Sequence, residues 1–268
     1  MIKHQDIFAE VDRLAPYDLA ESWDPTGPTL GCLSDKTEGV LLTLDLTNKA
    51  LSLAKQNHCN LIISHHPFLF APIQKLMADN PEQKLLLDLA AAGITVFSSH
   101  TNLDAAEAGV AVSFLQAALK GLSYKKDLKI LAADLQNPKV GQGRLVDLDQ
   151  PVLLSALQAF FDRNLSTSCQ TNTDRDRPVQ KLAFTPGAFD ESWIPFLLEN
   201  KVDVLATGEI KHHVSVMLEE RGIALLAAGH GASEQTVVPL LADQLRFAFP
   251  QINFVENPGI LYNQLRSE

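Results

Sequence analysis

From residue 39 onward, short apolar runs alternate with stretches of helical period. GVLLTLD (39–45) is an apolar run ending in an acid, and TNKALSLAKQN (47–57) spaces its apolar residues as a helix does, behind a threonine able to cap the amide ends. CNLIIS (59–64) predicts a buried strand. PEQKLLLDLAAAG (81–93) predicts a helix with Pro81 in its first turn and Gly93 at its stop, and GITVFSS (93–99) a further strand. Strand, helix, strand, helix, strand in so short a span implies right-handed crossovers and a mostly parallel sheet.

The same order returns later in the chain. VQKLAFT (179–185), KVDVLAT (201–207) and GIALLAAG (222–229) predict strands, with helices over FDESWIPFLLEN (189–200) and HHVSVMLEERG (212–222). NLIISHHP lies beside DVLATGEI, and GITVFSSHTNLD beside GIALLAAGHGASE. An acid falls eleven residues after Gly93 (Asp104) and twelve after Gly222 (Glu234). The pattern points to duplication of one βαβαβ unit. Between the copies, 108–121 and 151–162 are helical by period, 136–148 has the glycine-punctuated look of a hairpin, and 166–178 is polar and turn-rich.

Composition narrows the class. The 268 residues are 46% hydrophobic and 20% charged with a net charge of −10, an ordinary globular balance that argues against a broad electrostatic grip on nucleic acid or anionic lipid. Any anionic ligand therefore needs a local positive feature. No apolar run reaches the ~20 residues of a membrane span, and the amino end has no signal-like apolar stretch. Cys32, Cys59 and Cys169 form no CxxC, which fits a reducing cytoplasm and reads as three small buried apolar residues. There is no GxGxxG, Walker A or GxSxG motif.

Chemistry collects where strands end. His65 and His66 follow one predicted strand, His100 a second and His230 a third. Open α/β sheets build their sites at such ends. Asp104 lies four residues beyond His100 and Glu234 four beyond His230, a spacing that shares one face if each loop enters a helix. A lone histidine at a strand end is most often structural; three strand ends bearing such donors point to a metal. Imidazole and carboxylate without thiolate suit Zn, Fe, Mn or Ni. His212 and His213 open a helix of the second copy, as a supporting pair or as ordinary polarity. ESWDPTGPTLG (21–31) reads as a turn whose ordinary explanation is Asp24 as a cap and Trp23 as a core aromatic.

The blocks ESWDPTGPTLG, LLTLDLT, NLIISHHPFLF, SSHTNLDAAEAGV, KVDVLATGEIKHH and AAGHGASE resemble the NGG-one-interacting-factor-three-like proteins, whose bacterial members are often labelled type-two homologues of GTP cyclohydrolase one. The resemblance runs from residue 21 to 234. It implies two intertwined, similar α/β domains with mostly parallel or mixed sheets, one domain built from both chain ends: 1–127 plus 230–268, and 128–229. It also implies a homohexameric ring and two divalent ions per chain. The family's ligand positions fall on His65, His66, Asp104, His230 and Glu234, with the carboxylates reaching both ions. Two departures stand out. The first motif usually reads WDNVG and here is WDPTG, and a glycine-rich turn after the strand at 179–185 is reduced to TPGAF.

The resulting expectation is a cytoplasmic dinuclear metal-dependent hydrolase for a small anionic, nucleotide-like or phosphorylated substrate, with no membrane partner. Ions and carboxylates would together supply the missing positive feature. His100 is the candidate proton shuttle, Glu234 shares in catalysis, and Asp24, Asp45, His212 and His213 support the site or line its pocket. The rival expectation is a non-catalytic metal-binding ring that serves as a scaffold.

Overall fold

The computed structural model describes residues 1–133, 137–138 and 140–259. The described chain divides into two compact units, Met1–Ala106 with Val238–Gly259, and Glu107–Val237. Residues 260–268, part of the expected first domain, lie outside the described residues, as do 136 and 139 of the expected hairpin.

The first unit opens with α1 (His4–Leu14), β1 (Gly27–Leu30), β2 (Gly39–Thr43), α2 (Asn48–Gln56), β3 (Leu61–Ser64), α3 (Pro81–Ala91), β4 (Thr95–Ser98) and α4 (Thr101–Ala105). Thr47 caps α2 by accepting the Ala50 amide, and Asn80 caps α3 with Pro81 just inside, where a missing N–H costs nothing. The second unit holds α5 (Val110–Ala118), β5 (Lys129–Ala133), β6 (Gly141–Leu153), α6 (Leu154–Leu165), β7 (Pro178–Ala188), α7 (Ile194–Glu199), β8 (Val204–Glu209), α8 (His212–Glu220), β9 (Ala224–Ala227) and α9 (His230–Glu234). The chain then returns to the first unit through α10 (Val237–Ala248) and β10 (Asn253–Glu256).

Each unit carries a mixed five-stranded sheet. In the first the order is β1-β4-β3-β2-β10, with β10, β2, β3 and β4 parallel and β1 antiparallel at the edge. In the second the order is β5-β6-β7-β8-β9, with β7, β8 and β9 parallel and β5 and β6 antiparallel. In the first unit Leu41, Ile62 and Val96 pack against Ala50, Leu51 and Ala54 of α2 and Leu85 and Leu89 of α3. The second sheet is covered on both faces. Phe184 meets Phe114 of α5 and Phe161 of α6, while Leu205 and Leu225 meet Leu197 of α7 and Val214 and Leu218 of α8.

The duplication is visible in the register. Leu61 pairs with Thr95 and Ser64 with Ser98; in the second unit Val204 pairs with Ala224 and Thr207 with Ala227. These matches equate Ser64 with Thr207 and His66 with Glu209, the alignment that NLIISHHP and DVLATGEI give in sequence. The likeness extends outward, since Gly27 pairs antiparallel with Ser98 as Gln170 bridges antiparallel to Ala227.

Several readings are refined. The helix expected over 189–200 begins as a 3₁₀ turn, Glu191–Trp193, and becomes α7 at Ile194, with Pro195 in the first turn where it fits. The strand expected over 179–185 runs on to Ala188 through a bulge at Pro186–Gly187. Cys59 and Cys169 are buried as expected, and burial pushes the Cys59 thiol up to about 11. Cys32 is exposed instead, because it lies in the turn that leaves edge strand β1. Trp23 is no core aromatic either, with 62% of its surface open to solvent.

Candidate metal centre

In the first unit, strand-end hydroxyls set the loops that carry the donors. Thr43 Oγ1 donates to the Asp45 carbonyl at 2.8 Å and Ser64 Oγ to the His66 carbonyl at 2.8 Å, each closing a tight turn two residues on. Those turns stop β2 and β3 and present Asp45 and His66. His65 remains in the ladder, its amide donating to the Thr43 carbonyl, and its side chain is buried. His100 caps α4. Its carbonyl accepts the amides of Leu103 and Asp104, so Asp104 comes one helical turn past it.

The three imidazoles of this unit converge. Ring centroids are 5.0 Å apart for His65 and His66, 5.3 Å for His65 and His100, and 5.6 Å for His66 and His100. One ligand atom from each lies within 4.8 Å of the others. Every Nδ1 faces an oxygen acceptor: the Ser99 carbonyl for His65 (2.9 Å), Asp45 Oδ1 for His66 (2.8 Å) and Asp24 Oδ1 for His100 (3.1 Å). A carbonyl or carboxylate can only accept, so Nδ1 carries the proton and Nε2 the lone pair in all three neutral rings. Metal-ligating histidines are oriented in this way. Asp104 Oδ1 stands 3.7 Å from His65 Nε2.

Asp24 is held more firmly than a turn residue requires. Its side chain is fully buried, Oδ1 facing His100 while Oδ2 accepts both the amide and the hydroxyl of Thr101. Those bonds tie the turn after α1 to the amino end of α4. Asp24 and Asp45, expected as supporting groups, thus each contact one histidine of the cluster.

In the second unit, His230 Nε2 lies 3.0 Å from Glu234 Oε2 within α9, and Glu234 is buried. Gly229, at φ 91°, turns the chain from β9 into that helix. Two residues that the sequence did not single out complete this pair. Glu209 Oε2 lies 3.4 Å from His230 Nδ1, giving His230 the same carboxylate backing that His66 and His100 have. Gly187, in the bulge of β7, has φ +65°, and a Cβ built on it would collide with Glu234 Oε1. Its amide donates to Ser233 Oγ at 3.0 Å. The alignment of DVLATGEI with NLIISHHP was the available signal for Glu209, which occupies the place of His66. His212 and His213 open α8 at the surface, where His213 Nε2 meets Glu191 Oε2 at 3.3 Å. Among the described residues neither joins a cluster of metal-ligating atoms.

Fold and donors together define a duplicated α/β protein whose strand ends carry histidine and carboxylate groups suited to a metal. A sequence model of the Duf34/NIF3 (NGG1p interacting factor 3) family matches residues 2–258, and the chain belongs to that family. It is 33% identical over 245 residues to a Lactococcus lactis protein named GTP cyclohydrolase 1 type 2 homolog, covering 91% of this chain and 92% of that one. It is 30% identical to a Schizosaccharomyces pombe protein named Protein NIF3 homolog, over 81% of this chain and 79% of that one. A Bacillus cereus protein related to NIF3 has the same fold, with a TM-score of 0.85 at 18% identity over 96% of both chains. No helix among the described residues is long and apolar enough to cross a membrane.

Proposed function

We propose that the chain is a cytoplasmic dinuclear metal-dependent hydrolase for a small nucleotide-like or phosphorylated substrate, with His65, His66, Asp104, His230 and Glu234 as the ligands of two divalent ions. The observation that carries this reading is the shared orientation of His65, His66 and His100, whose Nδ1 protons are all taken by oxygen acceptors. A metal-ligating histidine typically donates its other ring N–H to such an acceptor, as the orientations of His65 and His66 allow. The donor set fits a borderline ion, being imidazole and carboxylate without thiolate. Its two supporting acids, Asp45 and Glu209, hold the second nitrogens of His66 and His230.

When bound, two such ions supply Lewis acidity and a water activated near neutral pH. The remaining tasks fall to side chains. Asp104 and Glu234 balance the positive charge and fix where the substrate's oxygen atoms settle. His100, with Nδ1 pinned by Asp24, presents Nε2 to take up a proton or return it to the leaving group. Five protein ligands shared by two ions leave coordination positions for substrate, which favours a catalytic over a purely structural centre.

The test is a screen of metal-loaded protein over nucleotides, phosphoesters and cyclic amides, with Glu234→Ala as the blank. Turnover in the native protein that vanishes in the blank supports the reading; equal rates in both defeat it. The proposal includes the ring that the family resemblance implies, for which light scattering should return a mass near six chains. A monomer at micromolar concentration would remove the ring.

A further inference from the structure

Two exposed aromatic side chains of the first unit, Trp23 and Phe70, stand beside its histidine cluster. Trp23 is 62% and Phe70 59% exposed. Both ring centroids lie 6.1 Å from that of His100, with ring planes at 77° and 87° to the imidazole. Large aromatic rings left open to water have lost a burial that the fold elsewhere secures. The placement here is not that of random surface residues, since both flank the one histidine assigned to proton transfer.

Trp23 is carried on anchored backbone, and Phe70 on a stretch flanked by prolines. Trp23 immediately precedes Asp24, whose buried carboxylate is held by His100 and by the amide and hydroxyl of Thr101, and whose amide donates to the Glu21 carbonyl at 2.9 Å. Phe70 lies between Pro67 and Pro72, two residues past Phe68, which packs on the core of this unit. A ring on an anchored stem loses little freedom when a ligand covers it, so it serves recognition at low entropic cost. Aliphatic side chains would suffice to exclude water. Flat, polarisable faces are what a flat ligand needs.

We propose that Trp23 and Phe70 are specificity-determining residues, and that the substrate of the site carries a planar nitrogen heterocycle which lies against one or both rings while its reacting group reaches His100. This deepens the proposed function and rests on it: of the nucleotide-like and phosphorylated substrates considered there, it selects those recognised by a ring face over those recognised by phosphate alone. The acids around the cluster agree with that choice. Asp24, Asp45 and Asp104 all contact its histidines, which disfavours a phosphate except on the ions themselves.

The chain has two tryptophans, so Trp193→Phe leaves Trp23 as the sole indole reporter. The metal-loaded Trp193→Phe protein is titrated with guanosine, adenosine, cytidine and nicotinamide riboside, and with ribose 5-phosphate as the ring-free control. At least one ring compound should quench Trp23 saturably, and ribose 5-phosphate should not. Equilibrium dialysis of the same compound against otherwise native protein should show affinity falling roughly tenfold in Trp23→Ala and in Phe70→Ala, with most of it restored in Trp23→Phe. Metal content should be unchanged in all three. Absence of saturable binding by any ring compound, or affinity unaltered in both alanine variants, overturns the proposal. Its failure is separable from failure of the underlying reading, because metal content in Asp104→Ala and Glu234→Gln reports on the metal centre without any organic ligand.

Discussion

Asp24 and His100, seventy-six residues apart, share a hydrogen bond of 3.1 Å from imidazole Nδ1 to a carboxylate with no exposed side-chain surface. The other oxygen of Asp24 is bound by Thr101, so the acid both builds the loop and sets the tautomer of the histidine. Asparagine separates these roles. It can keep an oxygen toward Thr101, but its amide nitrogen cannot accept the His100 Nδ1 proton, so the ring must turn or change tautomer. Asp24→Asn should therefore melt close to the native temperature while turnover falls by ~10²-fold. Asp24→Ala, which strands the buried Thr101 amide, should lose about 1–3 kcal/mol in urea unfolding as well. Native turnover in Asp24→Asn would dismiss His100 as the shuttle.

The metal assignment makes a stoichiometric prediction. If Asp104 is shared between ions, Asp104→Ala should remove more than one ion's worth of occupancy in elemental analysis. Glu234→Gln keeps the shape and one acceptor oxygen but not the charge, and should weaken metal binding by ~10 to 100-fold or more, with circular dichroism unchanged. Full metal in Asp104→Ala would end the dinuclear assignment.

Strand ends were the most legible part of this molecule. Apolar runs located β2, β3, β4, β8 and β9 because those strands are buried on both faces, and the donors followed directly after them. What escaped notice depends on distant pairing. α1 and α10 lie outside the repeating pattern, and β10 becomes a strand by adding to β2, with Asn253 opposite Gly39. The acid of each copy was legible by spacing, but the backing of each histidine was not. Asp24 meets His100, and Asp45 meets His66, only once the sheet brings their loops together. Trp23 was expected in the core because composition cannot tell an aromatic that packs from one held out beside a site.

His4 provides a pH prediction away from the donors. Its side chain is completely buried at the start of α1, with Nδ1 2.9 Å from Thr37 Oγ1. Burial lowers its pKa below the ordinary 6.5, an effect that Asp35 partly opposes. The folded protein thus resists a proton that the unfolded chain accepts. Stability is complete above the unfolded value and is lost as pH falls below it toward the folded value. Urea midpoints at about pH 7.5 and about pH 5.5 should differ less in His4→Asn than in the native protein, even though the variant starts less stable. An equal drop in both would assign the acid sensitivity to other groups.

Gly187 offers a test of the close approach of backbone to the Glu234 carboxylate. Its φ of +65° and that of Gly222, +76°, are both in the left-handed region, so alanine at either position carries a similar backbone penalty of about 1 kcal/mol. Their surroundings differ. A Cβ on Gly222 meets nothing within 4 Å, whereas one on Gly187 would strike Glu234 Oε1. Glu234 is buried and its partner His230 shares the same short helix, so the carboxylate cannot move aside without leaving the imidazole at 3.0 Å. Gly187→Ala should lose more stability in urea unfolding than Gly222→Ala, and only Gly187→Ala should lose metal affinity, by ~10-fold or more. Gly222→Ala controls for the backbone penalty of a side chain in the left-handed region. Equal metal affinity in the two variants would mean that Glu234 tolerates displacement and would place it outside the set of direct ligands.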